Sequence, residues 1–193
     1  MTGPRVGVLA LQGDFREHLA VLAALGAEAV PVRRARELDQ VAGLVIPGGE
    51  STVMDKLSRA FGLRDPLRER IAAGMPVYGT CAGLIMLSDR VLDALPDQQT
   101  LGGLDVTVRR NAFGNQLDSF ETDLEVPVLE GPPVHAAFIR APVVEEVGPD
   151  AEALATLDDG RVVAVQQGTL LGTSFHPEIT GETRFHEHFL SLL

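Results

Sequence analysis

The segment Val77-Tyr78-Gly79-Thr80-Cys81-Ala82-Gly83 runs from a short apolar stretch directly into a cysteine between two glycines. Its spacing, Gly-x-Cys-x-Gly, has the form of a nucleophile elbow, a sharp turn from a strand into a helix, with cysteine in place of serine. We therefore predict a strand at Val77–Gly79 and a helix after Gly83. The two glycines suit this turn because their missing Cβ atoms let strand and helix approach closely.

Short apolar runs alternate with amphipathic stretches before this segment. The predicted strands are Val6–Leu11, Ala29–Val32 and Gly43–Ile46. The predicted helices are one that begins at Asp14 and stops at Gly26, and two more at Thr52–Phe61 and Leu63–Ala73. Asp14 and Glu17 form a pattern like a capping box. Strands that alternate with helices predict a parallel sheet covered on both faces.

The second half of the chain has a different pattern, dominated by short apolar runs. The predicted strands there are Leu104–Arg110, Phe120–Val126, Val134–Ile139, Ala153–Leu157, Val162–Gln167 and Leu170–Ser174. Gln167-Gly168-Thr169 predicts a hairpin turn between the last two, and a helix is predicted at Thr183–Leu193. We therefore expect one α/β domain over residues 1–193, with a mostly parallel central sheet, helices on both faces and additional antiparallel strands in the second half.

An excess of acidic residues limits the classes of partner. The 193 residues include 16 Lys and Arg against 27 Asp and Glu, a formal net charge of −11. This balance argues against nucleic acid and anionic membrane surfaces, because both favour basic patches. The apolar run Val6–Leu11 is too short for an export signal. Cys81 is the only cysteine, which excludes an intramolecular disulfide and cysteine-rich zinc sites, and a cytoplasmic location is expected.

Three segments follow predicted parallel strands, at the sheet edge where such folds bind ligands. They are Gln12-Gly13, Pro47–Ser51 and Thr80–Gly83. Cys81 in the third is a candidate nucleophile, because a helix N-terminus favours the reactive thiolate and offers backbone N–H groups to a developing oxyanion. The alternative for a lone cysteine is a buried structural residue.

His176 and Glu178 are candidate partners for this cysteine. They follow the predicted strand Leu170–Ser174, whose end is expected at the same sheet edge as Cys81. Residues two apart in an extended chain point to the same side, so we expect His176 to act as the base and Glu178 to orient it. We expect Pro177 to prevent a helix at this point. A surface histidine is the alternative for His176 taken alone.

The other four histidines give weaker signals. His186 and His188 lie two apart on a predicted helix and do not face the same way, which argues against a metal pair. His18, on the first helix, and His135, in a strand, are expected to be structural. We therefore predict no metal site.

The segments around Cys81 and His176-Pro177-Glu178 resemble the triad of class I glutamine amidotransferases, which have a flavodoxin-like fold. Further segments resemble one family among them, the glutaminase subunits of pyridoxal 5′-phosphate synthase, over Val6 to about Phe189. These are Leu11-Gln12-Gly13, Pro47-Gly48-Gly49-Glu50-Ser51-Thr52, Arg110-Asn111-Ala112-Phe113-Gly114-Asn115-Gln116, Asp118-Ser119-Phe120-Glu121 and Phe138-Ile139-Arg140-Ala141-Pro142. Asn115 departs from the family, in which a basic residue is expected.

The resemblance implies the roles of individual residues. Cys81 attacks the side-chain amide of L-glutamine, His176 transfers the proton, Glu178 orients the imidazole, and water hydrolyses a glutamyl thioester. The implied oxyanion hole consists of Gly49 and Ala82. The implied substrate-binding residues are Gly48, Gly49, Glu50, Arg110, Ile139 and Arg140. A guanidinium suits a carboxylate and a carboxylate suits an α-ammonium, although a surface salt bridge is the alternative for either arginine.

The resemblance also implies a partner and no cofactor. The family docks on a synthase subunit in a hetero-oligomer and passes it ammonia, which the synthase combines with a pentose phosphate and a triose phosphate. No phosphate loop of the Gly-x-x-x-x-Gly-Lys-Ser/Thr type is present, so the chain is not expected to bind pyridoxal phosphate. The alternatives are a glutaminase subunit of another synthase, such as one of histidine biosynthesis, a peptidase-like or glyoxalase-like enzyme, and a noncatalytic flavodoxin-like binding module.

Overall fold

In the computed structural model, which describes residues 3–110 and 119–193, strands and helices alternate up to Leu87 and strands predominate after it. The strands are β1 (Arg5–Leu9), β2 (Glu28–Val32), β3 (Gly43–Ile46), β4 (Val77–Thr80), β5 (Ser88–Leu92), β6 (Leu104–Arg109), β7 (Ser119–Leu124), β8 (Val134–Ile139), β9 (Val143–Val147), β10 (Glu152–Thr156), β11 (Val162–Gln167) and β12 (Leu170–Thr173). The helices are α1 (Phe15–Ala24), α2 (Ala35–Leu38), α3 (Ser51–Ala60), α4 (Arg64–Ala72), α5 (Ala82–Leu87), α6 (Pro177–Thr180) and α7 (Arg184–Ser191). None of the described helices combines the length and the apolar character that a membrane crossing requires.

Ten strands form one sheet in the order β2-β1-β3-β4-β12-β11-β9-β6-β5, and β10 pairs with β11 beside this path. The first five strands of this order, β2, β1, β3, β4 and β12, run parallel to one another. β11 is antiparallel to both β12 and β9. β7 and β8 pair as a separate antiparallel hairpin. The prediction of a mostly parallel sheet with antiparallel strands from the second half is confirmed. The hairpin turn at Gln167-Gly168-Thr169 is confirmed as well.

Alternating side chains along the central strands supply two apolar layers, one on each face of the sheet. In β3, Leu44 and Ile46 join one layer and Val45 joins the other. Val77 and Tyr78 of β4 divide in the same way. The first layer includes side chains of α3, α4 and α5, and the second includes side chains of α1 and α7. The helices therefore cover both faces, as predicted.

Local structure differs from the sequence prediction at five places. Asp14 is the N-cap residue of α1, but its side chain makes no capping hydrogen bond, so the predicted capping box with Glu17 is wrong. Pro177 begins the short helix α6 instead of preventing it, because the first helical position does not need the N–H that proline lacks. Strands β5 and β9 and the single turn α2 were not predicted, since charged residues interrupt the apolar pattern of each.

Part of one family-like segment cannot be placed in this fold. Arg110 directly follows β6 and is described. Asn111 to Asp118, including the atypical Asn115, lie outside the described residues.

Candidate active site

The carboxyl ends of β4 and β12 bring together residues that are far apart in the sequence. The two strands are parallel neighbours, with Thr80 opposite Thr173. The backbone N–H of Cys81 donates to the carbonyl oxygen of Thr173 over 2.7 Å. Cys81 and His176 therefore follow neighbouring strands at one edge of the sheet, as the sequence predicted.

Cys81 lies at a strained turn between β4 and α5. Its φ of 49° is positive, which is uncommon for a residue other than glycine, and it is the N-cap residue of α5. A Cβ at Gly83 would overlap the carbonyl oxygen of Ile46, and a Cβ at Gly79 would overlap the backbone of Gly83. The turn has the predicted elbow geometry, and both glycines are required by the close packing of the strands and the helix.

His176 and Glu178 are hydrogen-bonded to each other and buried. Nδ1 of His176 donates to Oε1 of Glu178 over 2.7 Å, and the exposed fractions of the two side chains are 6% and 0%. The backbone N–H of His176 donates to the carbonyl of Ala137 in β8 over 2.9 Å. The sequence predicted this pair from an extended chain, but the pair forms because the first turn of α6 places Glu178 against the imidazole.

The charge of His176 follows from its neighbours. Burial on its own would lower the pKa of His176, but hydrogen bonds with Cys81 and Glu178 raise that pKa to about 10. Asp14 adds another carboxylate, whose Oδ2 lies 3.8 Å from Nδ1 of His176. The hydrogen bonds with Cys81 and Glu178 therefore favour the protonated form of His176.

Two more histidines lie behind Cys81, His176 and Glu178, which we call the triad. His18 of α1 and His186 of α7 are fully buried, with Nδ1 of His18 lying 2.8 Å from Nε2 of His186. Nε2 of His18 lies 3.1 Å from the hydroxyl of Thr80 and 3.7 Å from Oε2 of Glu178. The sequence analysis missed this contact. The available signal was the position of His18 four residues before the buried Leu22, on the same face of α1.

Glu50 and Arg110 form an ion pair beside the N-terminus of α3. Nη2 of Arg110 donates to Oε1 of Glu50 over 3.1 Å, and its Nη1 donates to Oε1 of Gln98 over 2.6 Å. Glu50 also caps α3 by accepting from the N–H of Thr52. Burial on its own would raise the pKa of Glu50, but the hydrogen bonds from Thr52 and the charge of Arg110 lower it. The structure thus brings these two predicted substrate-binding residues together as an ion pair.

The Gly48-Gly49 turn lies against the imidazole of His176. The carbonyl oxygen of Gly48 accepts from the N–H of Asp14 over 3.1 Å, and a Cβ at Gly48 would overlap the His176 ring. Gly49 has a φ of 147°, and the N–H that follows it donates to Oε1 of Gln12 over 2.8 Å. The turn is therefore held by residues of the β1–α1 connection, which the sequence analysis noted only as a strand end.

Ile139 is the last residue of β8, in the separate hairpin, and Arg140 directly follows it. The carbonyl oxygen of Ile139 lies 3.9 Å from Sγ of Cys81. Arg140 has a φ of 46° and is exposed. Ala82, the remaining residue of the predicted site, is the first residue of α5 and directly follows Cys81. The predicted residues Gly48, Ile139 and Ala82 therefore all adjoin the triad.

The contact between Gly48 and His176 gives a testable prediction. We expect Gly48→Ala to lower the rate of glutamine hydrolysis, the reaction that the sequence analysis predicts, by about 10²-fold, because the added methyl group must displace the imidazole and a displacement of about 1 Å can cost that much. The measurement is glutamate release together with thermal unfolding. Gly62→Ala is the control for a general loss of stability, because its φ of 66° is unfavourable for alanine while a Cβ there meets open space and touches no residue of the triad. A Gly48→Ala rate within about threefold of the wild type would contradict the prediction.

Acid should destabilise the protein through its buried histidines. Burial lowers the pKa of His186 from 6.5 to about 4, so the unfolded chain binds more protons than the folded chain between these pH values. The free energy of unfolding should therefore fall as the pH decreases through this window. His186→Gln removes the effect of this group, and we expect a shallower fall in urea unfolding experiments. Equal slopes for the variant and the wild type would contradict this expectation.

Comparison with known proteins identifies the class and then the family. A solved structure described as a glutamine amidotransferase is similar with a TM-score of 0.90 and 49% identity, covering 97% of each chain. The model of the SNO glutamine amidotransferase family matches residues 8–193. The chain belongs to the SNO glutamine amidotransferase family.

Curated relatives resemble almost the whole chain. The pyridoxal 5′-phosphate synthase subunit PdxT of Leifsonia xyli subsp. xyli (strain CTCB07) is 69% identical over 187 residues, which cover 97% of this chain and 94% of the relative. The protein of the same name from Clavibacter michiganensis subsp. michiganensis (strain NCPPB 382) is 68% identical over 191 residues, which cover 99% of this chain and 91% of the relative.

Proposed function

We propose that this chain is a glutaminase that hydrolyses the side-chain amide of L-glutamine and supplies the ammonia to pyridoxal 5′-phosphate synthase, in vitamin B6 biosynthesis. The observation that carries the chemistry is the position of Cys81 at the start of α5, beside the buried His176–Glu178 pair that follows the adjoining strand. Family membership and the similarity to synthase subunits along the whole chain support the substrate and the pathway. They favour this synthase over one of histidine biosynthesis, and an amidotransferase over a peptidase-like enzyme or a binding module.

The first chemical step forms a thioester. The thiolate of Cys81 attacks the side-chain carbonyl carbon of glutamine, and the oxygen becomes negatively charged in the tetrahedral intermediate. The backbone N–H groups of Ala82 and Gly49 are proposed to stabilise this oxygen. His176 gives its proton to the leaving nitrogen, the C–N bond breaks, and ammonia departs. Glu178 accepts from Nδ1 throughout and keeps the ring in the orientation that this transfer requires.

The second step releases glutamate. The neutral His176 takes a proton from a water molecule, and the resulting hydroxide attacks the thioester carbonyl. The C–S bond breaks, the thiolate of Cys81 is restored, and His176 again carries the proton that its two neighbours stabilise. Only side chains, backbone N–H groups and water take part in these steps.

Recognition of glutamine is assigned to charged groups at the rim of the triad. Glu50 is proposed to hold the α-ammonium group, and Arg110 or Arg140 the α-carboxylate, because a guanidinium fork matches two carboxylate oxygens. Glu50 and Arg110 form an ion pair in the structure. When the glutamine zwitterion binds, two ion pairs replace it, one between Glu50 and the α-ammonium group and one between an arginine and the α-carboxylate. Gly48 and Ile139 line the approach to Cys81 with backbone atoms.

The product explains the need for a partner. Ammonia in neutral water is mostly ammonium, which is not nucleophilic, so a synthase subunit must receive it before it is protonated. We therefore place residues 1–193 in a hetero-oligomer with that subunit, as one glutamine amidotransferase domain. The reaction also requires its single thiol to stay reduced, which supports a cytoplasmic location.

The isolated chain is expected to be a poor glutaminase, because docking should complete the oxyanion hole. The proposed switch is rotation of the Gly48–Gly49 peptide, which would turn the Gly49 N–H and break the bond from the Asp14 N–H to the Gly48 carbonyl. The partner must stabilise that rotated state. One missing oxyanion donor costs about 10²–10³ in rate.

The test of the function and of its gating is a titration. Glutamate release from L-glutamine is measured for the chain alone and with increasing synthase subunit, and we expect a rise of about 10²–10³-fold. Absence of glutamate release at saturating synthase subunit would refute the proposed function. Equal rates with and without the subunit would refute the gating alone.

A further inference from the structure

A pair of histidines that the proposed reaction does not use lies directly behind the triad. His18 and His186 come from α1 and α7, on the face of the sheet that also carries Tyr78, and both are fully buried. Nδ1 of His18 lies 2.8 Å from Nε2 of His186. The other nitrogen of His18 contacts the hydroxyl of Thr80, the residue before the nucleophile, over 3.1 Å. The pair therefore reaches the active site through His18.

One carboxylate oxygen of Glu178, Oε2, takes no part in the hydrogen bond with His176. Oε1 accepts a hydrogen bond from Nδ1 of His176, whereas Oε2 is buried and has no hydrogen-bond partner among the described residues. Nε2 of His18 is the ionisable nitrogen that lies close to Oε2 among the described residues, at 3.7 Å. A buried carboxylate oxygen of this kind is stabilised only by the dipoles that face it.

Both rings of the pair are neutral, so each carries a single N–H. Burial lowers the pKa of His18 well below its ordinary value, helped by His186 and His176, and burial lowers the pKa of His186 to about 4. The short contact between the rings requires one nitrogen to donate and the other to accept. Two arrangements of the protons satisfy it.

In the first arrangement, Nε2–H of His186 donates to a bare Nδ1 of His18. The proton of His18 is then on Nε2, which lies 3.1 Å from the hydroxyl of Thr80 and 3.7 Å from Oε2 of Glu178. Nδ1 of His186, which has no partner among the described residues, is a bare acceptor. No buried N–H is left without a partner.

In the second arrangement, Nδ1–H of His18 donates to a bare Nε2 of His186. Nδ1 of His186 then carries a buried N–H with no acceptor, which forfeits the hydration of that donor. The bare Nε2 of His18 also presents a lone pair to the carboxylate of Glu178 at 3.7 Å. Both consequences are unfavourable, so the first arrangement is the stable one.

We propose that His18, held in its Nε2–H form by His186, is a positioning residue that fixes the carboxylate of Glu178 and through it the imidazole of His176. This inference rests on the proposed function of the triad. The N–H dipole of His18 stabilises the unpartnered Oε2, so the carboxylate does not rotate away while His176 gains and loses its proton. His186 acts indirectly, because its Nε2–H donates to Nδ1 of His18 and so keeps the proton of His18 on Nε2.

The first test measures the protons directly. The full chain is labelled with ¹⁵N, and long-range ¹H–¹⁵N correlation spectra distinguish protonated from bare ring nitrogens in its five histidines. We expect a bare Nδ1 and a protonated Nε2 in His18, and a protonated Nε2 in His186. A proton on Nδ1 of His18 would overturn the inference, whether or not Nε2 also carries one.

The second test compares two variants of His186 in the complex with saturating synthase subunit. His186→Gln retains an amide donor at the position of Nε2, whereas His186→Leu fills the same space without one. We expect His186→Leu to lower kcat about tenfold with little change in KM, the lower end of what partners that orient a functional histidine contribute. His186→Gln should stay within about twofold of the wild type.

The outcomes separate the inference from the proposed function. Equal kcat values for the two variants would overturn the positioning role while wild-type glutamate release remained intact. An inactive wild type would instead refute the function. If His186→Leu does not fold, the proton positions in the wild-type chain decide the matter, because that measurement requires neither a variant nor activity.

Discussion

Cys81→Ala is expected to abolish glutamine hydrolysis, with a loss of at least about 10³-fold in the presence of the synthase subunit. The chain contains no other thiol that could replace it, and the substitution is small and local. We expect the elbow to keep its shape, because it depends on Gly79 and Gly83 and on the bond from the Cys81 N–H to Thr173, which alanine retains. Cys81→Ser should be similarly inactive.

The measurement is glutamate release, with thermal unfolding to confirm the fold. Ser174→Ala is a matched control, because the hydroxyl of Ser174 is buried close to the site in sequence and has no hydrogen-bond partner among the described residues. A glutamine-mimicking electrophile should label the wild type once and Cys81→Ala not at all. Retention of more than about a tenth of the wild-type rate by Cys81→Ala would eliminate Cys81 as the nucleophile.

His176→Asn is expected to lose nearly all activity, whereas Glu178→Gln should lose less. In the proposed reaction His176 transfers protons in both chemical steps, whereas Glu178 only orients and stabilises the imidazole. A glutamine at residue 178 can still accept from Nδ1 through its amide oxygen, yet it removes the charge that helps to hold the pKa of His176 at about 10. We therefore expect Glu178→Gln to change the pH dependence of the rate as well as its size.

The comparison uses rates over a range of pH with saturating synthase subunit. His135→Asn is the control for loss of an imidazole, because His135 is exposed and pairs with Glu121 and Asp123 away from the triad. If Glu178→Gln matched the wild type in both rate and pH profile, Glu178 would have no part in the reaction.

Local patterns were sufficient to predict most of the parallel half of the fold. Gly43–Ile46 was predicted with the observed bounds, because its short apolar run ends at Pro47-Gly48-Gly49, residues that terminate a strand. β9 was not predicted, since Val143–Val147 contains two glutamates and becomes a strand only through pairing with β6 and β11. Pairing between distant segments is not encoded in either segment alone.

The same distinction applies to the candidate site, where residues beside strand ends could be predicted and a contact between two distant helices could not. Cys81, His176 and Glu178 could be predicted because each lies beside a strand end that the sequence marks. The contact between His18 and His186 could not, because its partners are helical residues separated by most of the chain and only the packing of α1 and α7 brings them together. The helix at Pro177 was missed because the resemblance to an extended strand end was stronger than the preference of proline for a first helical turn.

The place of β12 in the sheet has a consequence for biosynthesis. This strand, encoded near the end of the described chain, inserts between β4 from the first half and β11, its neighbour in sequence. Closing so long a loop is slow compared with forming local structure, and until it closes Cys81 lies apart from His176 and from the Thr173 carbonyl that anchors its turn. A partly synthesised chain on the ribosome therefore lacks the arrangement that the proposed reaction requires, and this arrangement forms only when β12 is in place.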